Sequence, residues 1–116
     1  MSVKIDRLNH AFVRELSYIL LNEVKDDDIR FVTITGCDIS SDLSYAKVYY
    51  TVLNTERKKD TDIALDRAKS FIRGKLSERV DIRHTPELKF IFDDSIEYGN
   101  RIEQKLQEIK NKENDL

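Results

Sequence analysis

The sequence predicts an α+β fold: a single domain in which a three-stranded sheet is backed by helices, in the order α-β-β-α-kink-α-β-α. Three observations carry this prediction. Apolar residues recur every three or four positions in three long blocks, which is helix periodicity. They alternate with polar residues in three shorter blocks rich in β-branched and aromatic side chains, which is strand periodicity. A chain of 116 residues, 40% of them hydrophobic, can build one modest core but not a two-domain enzyme with an interdomain cleft.

The first helix is expected from Lys4 to about Val24, with Ile5, Leu8, Phe12, Leu16, Ile19 and Leu20 on one face. Asp26-Asp27-Asp28 breaks the pattern. A metal site draws ligands from several converging segments, so this run of acids reads as a solvated turn. A strand follows from Phe31 to Ile39. Val32 and Ile34 share one side, Cys37 and Ile39 fall on the opposite phase, and Gly36 sits at the change. An extra residue at a glycine forms a β-bulge that returns later side chains to the core, so one bent strand is expected, with Cys37 as a core thiol.

Ser40-Ser41-Asp42-Leu43-Ser44 supplies turn chemistry, and Ala46, Val48, Tyr50 and Val52 then alternate with Lys47, Tyr49 and Thr51. The two strands should form an antiparallel hairpin. Asn54 to Asp60 reads as a polar loop with Arg57-Lys58-Lys59 at a solvated tip. From Thr61 to about Val80, Ala64, Ala68, Ile72, Leu76 and Val80 restore a helical period. A continuous helix would project Lys69 between Leu76 and Val80, into the apolar stripe, so a kink at Ala68-Lys69-Ser70 and two short helices are expected. Pro86 then introduces a third strand through Leu88, Phe90 and Phe92, since a strand start tolerates a residue with no N–H. Asp94 and Glu97 have capping-box spacing, and Ile102, Leu106 and Ile109 place a last helix on the core. The domain is expected over residues 1–110, with residues 111–116 as a polar tail.

Several chemistries lack their residues. Gly36, Gly74 and Gly99 lie in no phosphate-cradling run, which argues against a nucleotide enzyme. His10 and His84 have no partners at metal-ligand spacing, so neither a metal nor a cofactor is expected. Asp93, Asp94 and Glu97 could serve a small metal-dependent hydrolase, but capping already accounts for Asp94 and Glu97. Cys37 has no disulfide partner, and the longest apolar run, Tyr18-Ile19-Leu20-Leu21, is too short for a membrane span or a signal-peptide core. A cytoplasmic, membrane-free monomer is expected.

Charge is unevenly spread. The chain carries a net −2, yet residues 64–90 hold seven Lys and Arg against four Asp and Glu, a local +3 that leaves −5 for the remainder. Arg73 and Arg79 flank the apolar stripe on opposite sides and Lys75 projects further out, so aliphatic stems can cover core while the charges reach solvent and phosphate. The alternative is a solvated helix face with Glu78 and Asp81 as partners, and a rival reading of the chain is a protein-interaction module that uses the sheet or the last helix and does not bind RNA.

Val32-Thr33-Ile34-Thr35 followed by Ser41-Asp42-Leu43-Ser44-Tyr45-Ala46-Lys47-Val48-Tyr49 closely resembles the first hairpin of the bacterial ribosome-binding factor A family. Phe71-Ile72-Arg73 and Pro86-Glu87-Leu88-Lys89-Phe90 with Asp93 fit its second half in order, and the likeness spans about residues 3–110. The resemblance implies a type II KH-like domain in which an Ala-x-Gly helix–kink–helix replaces the glycine-x-x-glycine loop. Ala68-Lys69-Ser70 occupies that position with Ser70 in place of the glycine. It further implies a non-enzymatic assembly factor that binds the small (30S) ribosomal subunit and its 16S rRNA late in maturation. Such a factor assists rRNA processing and folding near the decoding site and acts in cold adaptation, with a ribosome-assembly GTPase as a further candidate partner. Lys47, Lys69, Ser70 and Arg73 are the RNA-binding candidates that match the family. Lys75, Arg79 and Arg83 join them from the charge pattern, and Lys4 and Arg7 from the basic start of the first helix.

Overall fold

In the computed structural model, which describes residues 3–94, the first apolar stripe forms helix α1 (Val3–Asn22) and buries Phe12, Leu16 and Ile19 completely. Each such side chain contributes about 1.5–3 kcal/mol on leaving water. The chain then closes a 3-10 turn over Asp27–Ile29, with Asp26 Oδ1 accepting from the Asp28 N–H at 3.0 Å. The neighbouring acids face cations: Arg67 donates to Asp26 at 2.8 Å and Arg57 to Asp28. Among the described residues no cluster of His, Cys, Asp and Glu could hold a metal ion.

Strands β1 (Val32–Ile39) and β2 (Tyr45–Val52) form the expected antiparallel hairpin. Ile34 pairs with Tyr50 and Gly36 with Tyr49, so Thr35 is the extra residue of a bulge. The bulge turns Cys37 and Ile39 back onto the core side, as their half-buried and buried states show. Asn9 of α1 reinforces the strand end, its Oδ1 accepting from the Ile39 N–H at 2.9 Å. In the hairpin turn Leu43 takes φ 62°, a left-handed conformation that costs a non-glycine residue about 1–2 kcal/mol. Asp42 supports it by accepting from the Ser44 N–H and the Ser40 hydroxyl, at 3.0 and 2.8 Å, and these bonds hold its carboxyl below the usual range.

Strand β3 (Glu87–Phe92) adds to the other side of β2 in parallel, giving the order β1-β2-β3. Parallel neighbours need a long crossover, and helix α2 (Lys58–Arg79) supplies it. Both helices contribute to one core, where Ala64, Leu65, Ile72 and Leu76 of α2 meet Ala46, Val48, Tyr50 and Leu88 of the sheet. Among the described residues no helix is long and apolar enough to cross a membrane.

Two expectations about α2 are corrected. The segment read as a loop up to Asp60 is instead a 3-10 turn, Thr55–Arg57, that runs directly into the helix at Lys58. Asn54 sets this turn by accepting from the Glu56 N–H, and the pairing of Arg57 with Asp28 holds its end, so the helix begins before Thr61. The interruption at Ala68-Lys69-Ser70 is absent as well: one helix of 22 residues replaces the two short ones. The buried positions Thr61, Leu65, Ile72 and Leu76 shift the stripe so that Lys69 lies at its edge. There it lines the same groove as Leu88, with the side chain 34% exposed and the ammonium 3.6 Å from Asp66. A lysine that reaches solvent in this way imposes no burial penalty for a kink to relieve. The expected last helix, the tail from residue 111 and the domain boundary at residue 110 lie outside the described residues.

Candidate nucleic-acid interface

Helix α2 sends its basic side chains to two sides. Toward β3, Lys69, Ser70 and Arg73 line a groove of about 460 Å³ whose opposite wall is Ser44, Tyr45, His84, Glu87 and Leu88. A second hollow of about 360 Å³ adjoins it, sharing Ser70, Arg73 and His84 and adding Gly74, Ser77, Arg83 and Thr85. Together they form an open channel lined by the half-buried Lys69 and Arg73 and the exposed Arg83. Phosphate backbones fit such a channel, since flexible ammonium and guanidinium groups replace counterions along it.

Arg73 does more than line this channel. Its Nε–H is shared between the carbonyls of Thr85 and Pro86, both at 3.1 Å, and Nη2 donates to Thr85 O at 2.6 Å. The half-buried side chain therefore clamps α2 to the entry of β3.

On the opposite side, Arg79 is committed to α1. Its Nε donates to Glu15 Oε2 at 2.6 Å, and its guanidinium lies 4.0 Å from the centre of the Tyr18 ring. The hydrogen bond with Arg79 pulls the Glu15 carboxyl below its ordinary range, and Glu15 in turn raises the guanidinium's pKa. Lys75, one turn earlier, sits 5.6 Å from the Phe71 ring centre and 3.9 Å from Glu78. These two cations face away from the channel.

Lys4 and Arg7 border a hollow of about 990 Å³ between the start of α1, the hairpin turn and the segment after α2. Arg83 lines both this hollow and the channel, so it connects them. Lys47 is exposed on the outer face of the sheet, in register with Asp38 on β1 and Lys89 on β3. The structure thus brings Lys69, Ser70, Arg73 and Arg83 together, adds Lys4 and Arg7 through Arg83, and leaves Lys47, Lys75 and Arg79 elsewhere.

Sequence reading misses three members of this surface. In the sequence His84 is only a histidine without metal partners, yet it forms the channel wall. Tyr45 lines the channel, and Lys89 places its ammonium 4.4 Å from the Tyr45 ring centre. The outward parity of Tyr45 and Lys89 is visible in the alternation of each strand. Their adjacency depends on the parallel β2–β3 pairing, which no local pattern reveals.

Comparison with known proteins agrees with the fold. A family model described as Ribosome-binding factor A matches residues 4–106. The ribosome-binding factor A of Staphylococcus carnosus is 45% identical over 112 residues, covering 96% of this chain and 97% of that protein. The protein of the same name from Staphylococcus saprophyticus is 42% identical over 114 residues, 97% of this chain and 100% of its own. The crystal structure of ribosome-binding factor A from Thermus thermophilus superposes with a TM-score of 0.69 at 25% identity, covering 76% of this chain and 93% of the other. Coordinates of the Thermus thermophilus factor fitted into a cryo-EM map of its complex with the 30S subunit share the fold, with a TM-score of 0.63 at 24% identity over 74% of this chain and 91% of the other.

Proposed function

Since the chain belongs to the ribosome-binding factor A family, we propose that it binds the small (30S) ribosomal subunit through 16S rRNA during late maturation and assists the processing and folding of that RNA. The supporting observation is the convergence of Lys69, Ser70, Arg73 and Arg83 along one open channel between α2 and the entry of β3. Lys69 and Arg83 neutralise phosphates, and the Ser70 hydroxyl donates to a phosphate or ribose oxygen. Arg73 holds the two walls at a fixed separation. Binding energy then favours the RNA conformation that fits the channel over those that do not, without any covalent step. The negative charge of the rest of the chain repels RNA that approaches elsewhere. Action in the cytoplasm as a monomer, a role in cold adaptation and a ribosome-assembly GTPase as a further partner complete the reading.

The test is co-sedimentation of the purified protein with small subunits at low and raised salt, comparing wild type with Lys69→Glu/Arg83→Glu. These two positions are chosen because Arg73 also supports the fold and Lys75 faces away. Salt-sensitive retention of the wild type, lost in the double variant, supports the reading. A wild type that stays in the supernatant at every salt concentration overturns it in favour of a protein-interaction module.

A further inference from the structure

The sheet has a second face that the channel does not use. Ala46, Val48 and Tyr50 of β2 point into the core, so Tyr45, Lys47 and Tyr49 point outward. In register beside them on β3, Lys47 neighbours Lys89 and Tyr49 neighbours Ile91. Tyr45 is 46% exposed and Ile91 36%, Lys47 and Lys89 are exposed too, and Tyr49 is half-buried with one edge of its ring beside Gly36. Tyr45 belongs to both regions, because it lines the channel and carries the Lys89 ammonium over its ring at 4.4 Å.

We propose that this outer face is a second RNA contact, a stacking platform for unpaired bases of a strand whose backbone leaves the channel past Tyr45. The inference rests on the RNA-binding reading above and adds the ligand's form: single-stranded rather than duplex. Two rings four positions apart on a strand stand about 13 Å from one another, room for the bases of a short extended segment. Aromatic rings on an open sheet accept bases of any identity because every base has a π-face, and Lys47, between the rings, meets the phosphates that link them while Lys89 adds a cation at Tyr45. A duplex hides those faces in its own stack. A protein partner is disfavoured because the two lysines occupy the centre of the patch, where protein interfaces are depleted of charge.

The chain has five tyrosines and no tryptophan, so ring signals are few and readable. Binding of a labelled single-stranded uridine decamer and of a hairpin duplex is measured by anisotropy for wild type, Tyr45→Leu/Tyr49→Leu and Lys47→Gln/Lys89→Gln. The decamer's effect on the ring resonances of the wild type is followed by NMR. The tyrosine variant should lose about tenfold or more in decamer affinity with duplex binding unchanged. The lysine variant should flatten the salt dependence, and the Tyr45 and Tyr49 ring signals should shift. Unmoved ring signals in the wild type overturn the platform whether or not the variants fold. A wild type that pellets with small subunits but leaves the decamer free also overturns the platform and spares the channel. A wild type that binds neither overturns the RNA-binding reading itself.

Discussion

Removing the Arg73 side chain separates architecture from binding. In Arg73→Ala the carbonyls of Thr85 and Pro86 lose a charged donor, the first at 2.6 and 3.1 Å and the second at 3.1 Å. A hydrogen bond from a charged group is worth about 1.5–3 kcal/mol, and a buried acceptor left bare costs about 1–3 kcal/mol. Pro86 is buried, whereas Thr85 is half-buried beside an open groove from which water can replace the lost donor. The expected loss is therefore about 2 kcal/mol, which at a urea slope of about 1.5 kcal/mol per M moves the unfolding midpoint down by roughly 1.3 M. Lys69→Ala removes only an exposed contact with Asp66 and should shift stability by less than about 0.5 kcal/mol. The assay is equilibrium urea unfolding followed by far-UV circular dichroism, with Arg73→Lys as a third variant. Lysine keeps the charge but cannot span both carbonyls, so it should recover less than half of the loss. An Arg73→Ala protein within about 0.5 kcal/mol of wild type would refute the clamp and return Arg73 to a purely RNA-contacting role.

Other expectations follow from the same coordinates. Among the described residues the buried Tyr50 hydroxyl meets no hydrogen-bond partner, so Tyr50→Phe should raise stability by about 1 kcal/mol in thermal unfolding, and a loss of that size would reveal a hidden partner. Burial first, and then the neighbouring Asp38 carboxylate, push the Cys37 thiol up to about 12, so iodoacetamide at about pH 8 should leave it unmodified until urea unfolds the chain. Glu15 titrates below its ordinary value because Arg79 donates to it, so the unfolded state takes up protons first as pH falls. The contribution of this pair is complete above the unfolded carboxylate pKa and is lost as pH drops through the folded one. The stability gap between wild type and Glu15→Gln should therefore be widest near about pH 7 and close toward about pH 3, and a gap independent of pH would assign the effect to packing.

Much of this architecture is local in origin and legible in the sequence. The three-residue and four-residue spacing from Ile5 to Leu20 specifies an amphipathic helix, and the phase change at Gly36 locates a bulge to within one residue of its place at Thr35. The alternation through Ala46 to Val52 orients β2, and the placement of Arg73 and Arg79 on opposite sides of the apolar stripe follows from helical geometry alone. Such features depend on neighbours a few residues apart, where backbone period converts sequence spacing directly into direction.

What only the tertiary structure decides is where separate elements meet. Whether Lys69 breaks its helix depends on the open groove it shares with Leu88, a residue far along the chain, since that groove leaves the ammonium in reach of solvent and Asp66. The parallel placement of β3 is what brings Lys89 over Tyr45 and pairs Lys47 with it. Of the predicted cations, Lys69 and Arg83 line the channel, Arg73 clamps α2 to the entry of β3, and Arg79 is turned to Glu15. Charge and periodicity state that a side chain reaches outward; only packing determines which acceptor it reaches, because hydrogen bonds and ion pairs act over a few ångströms between residues the chain must first bring together.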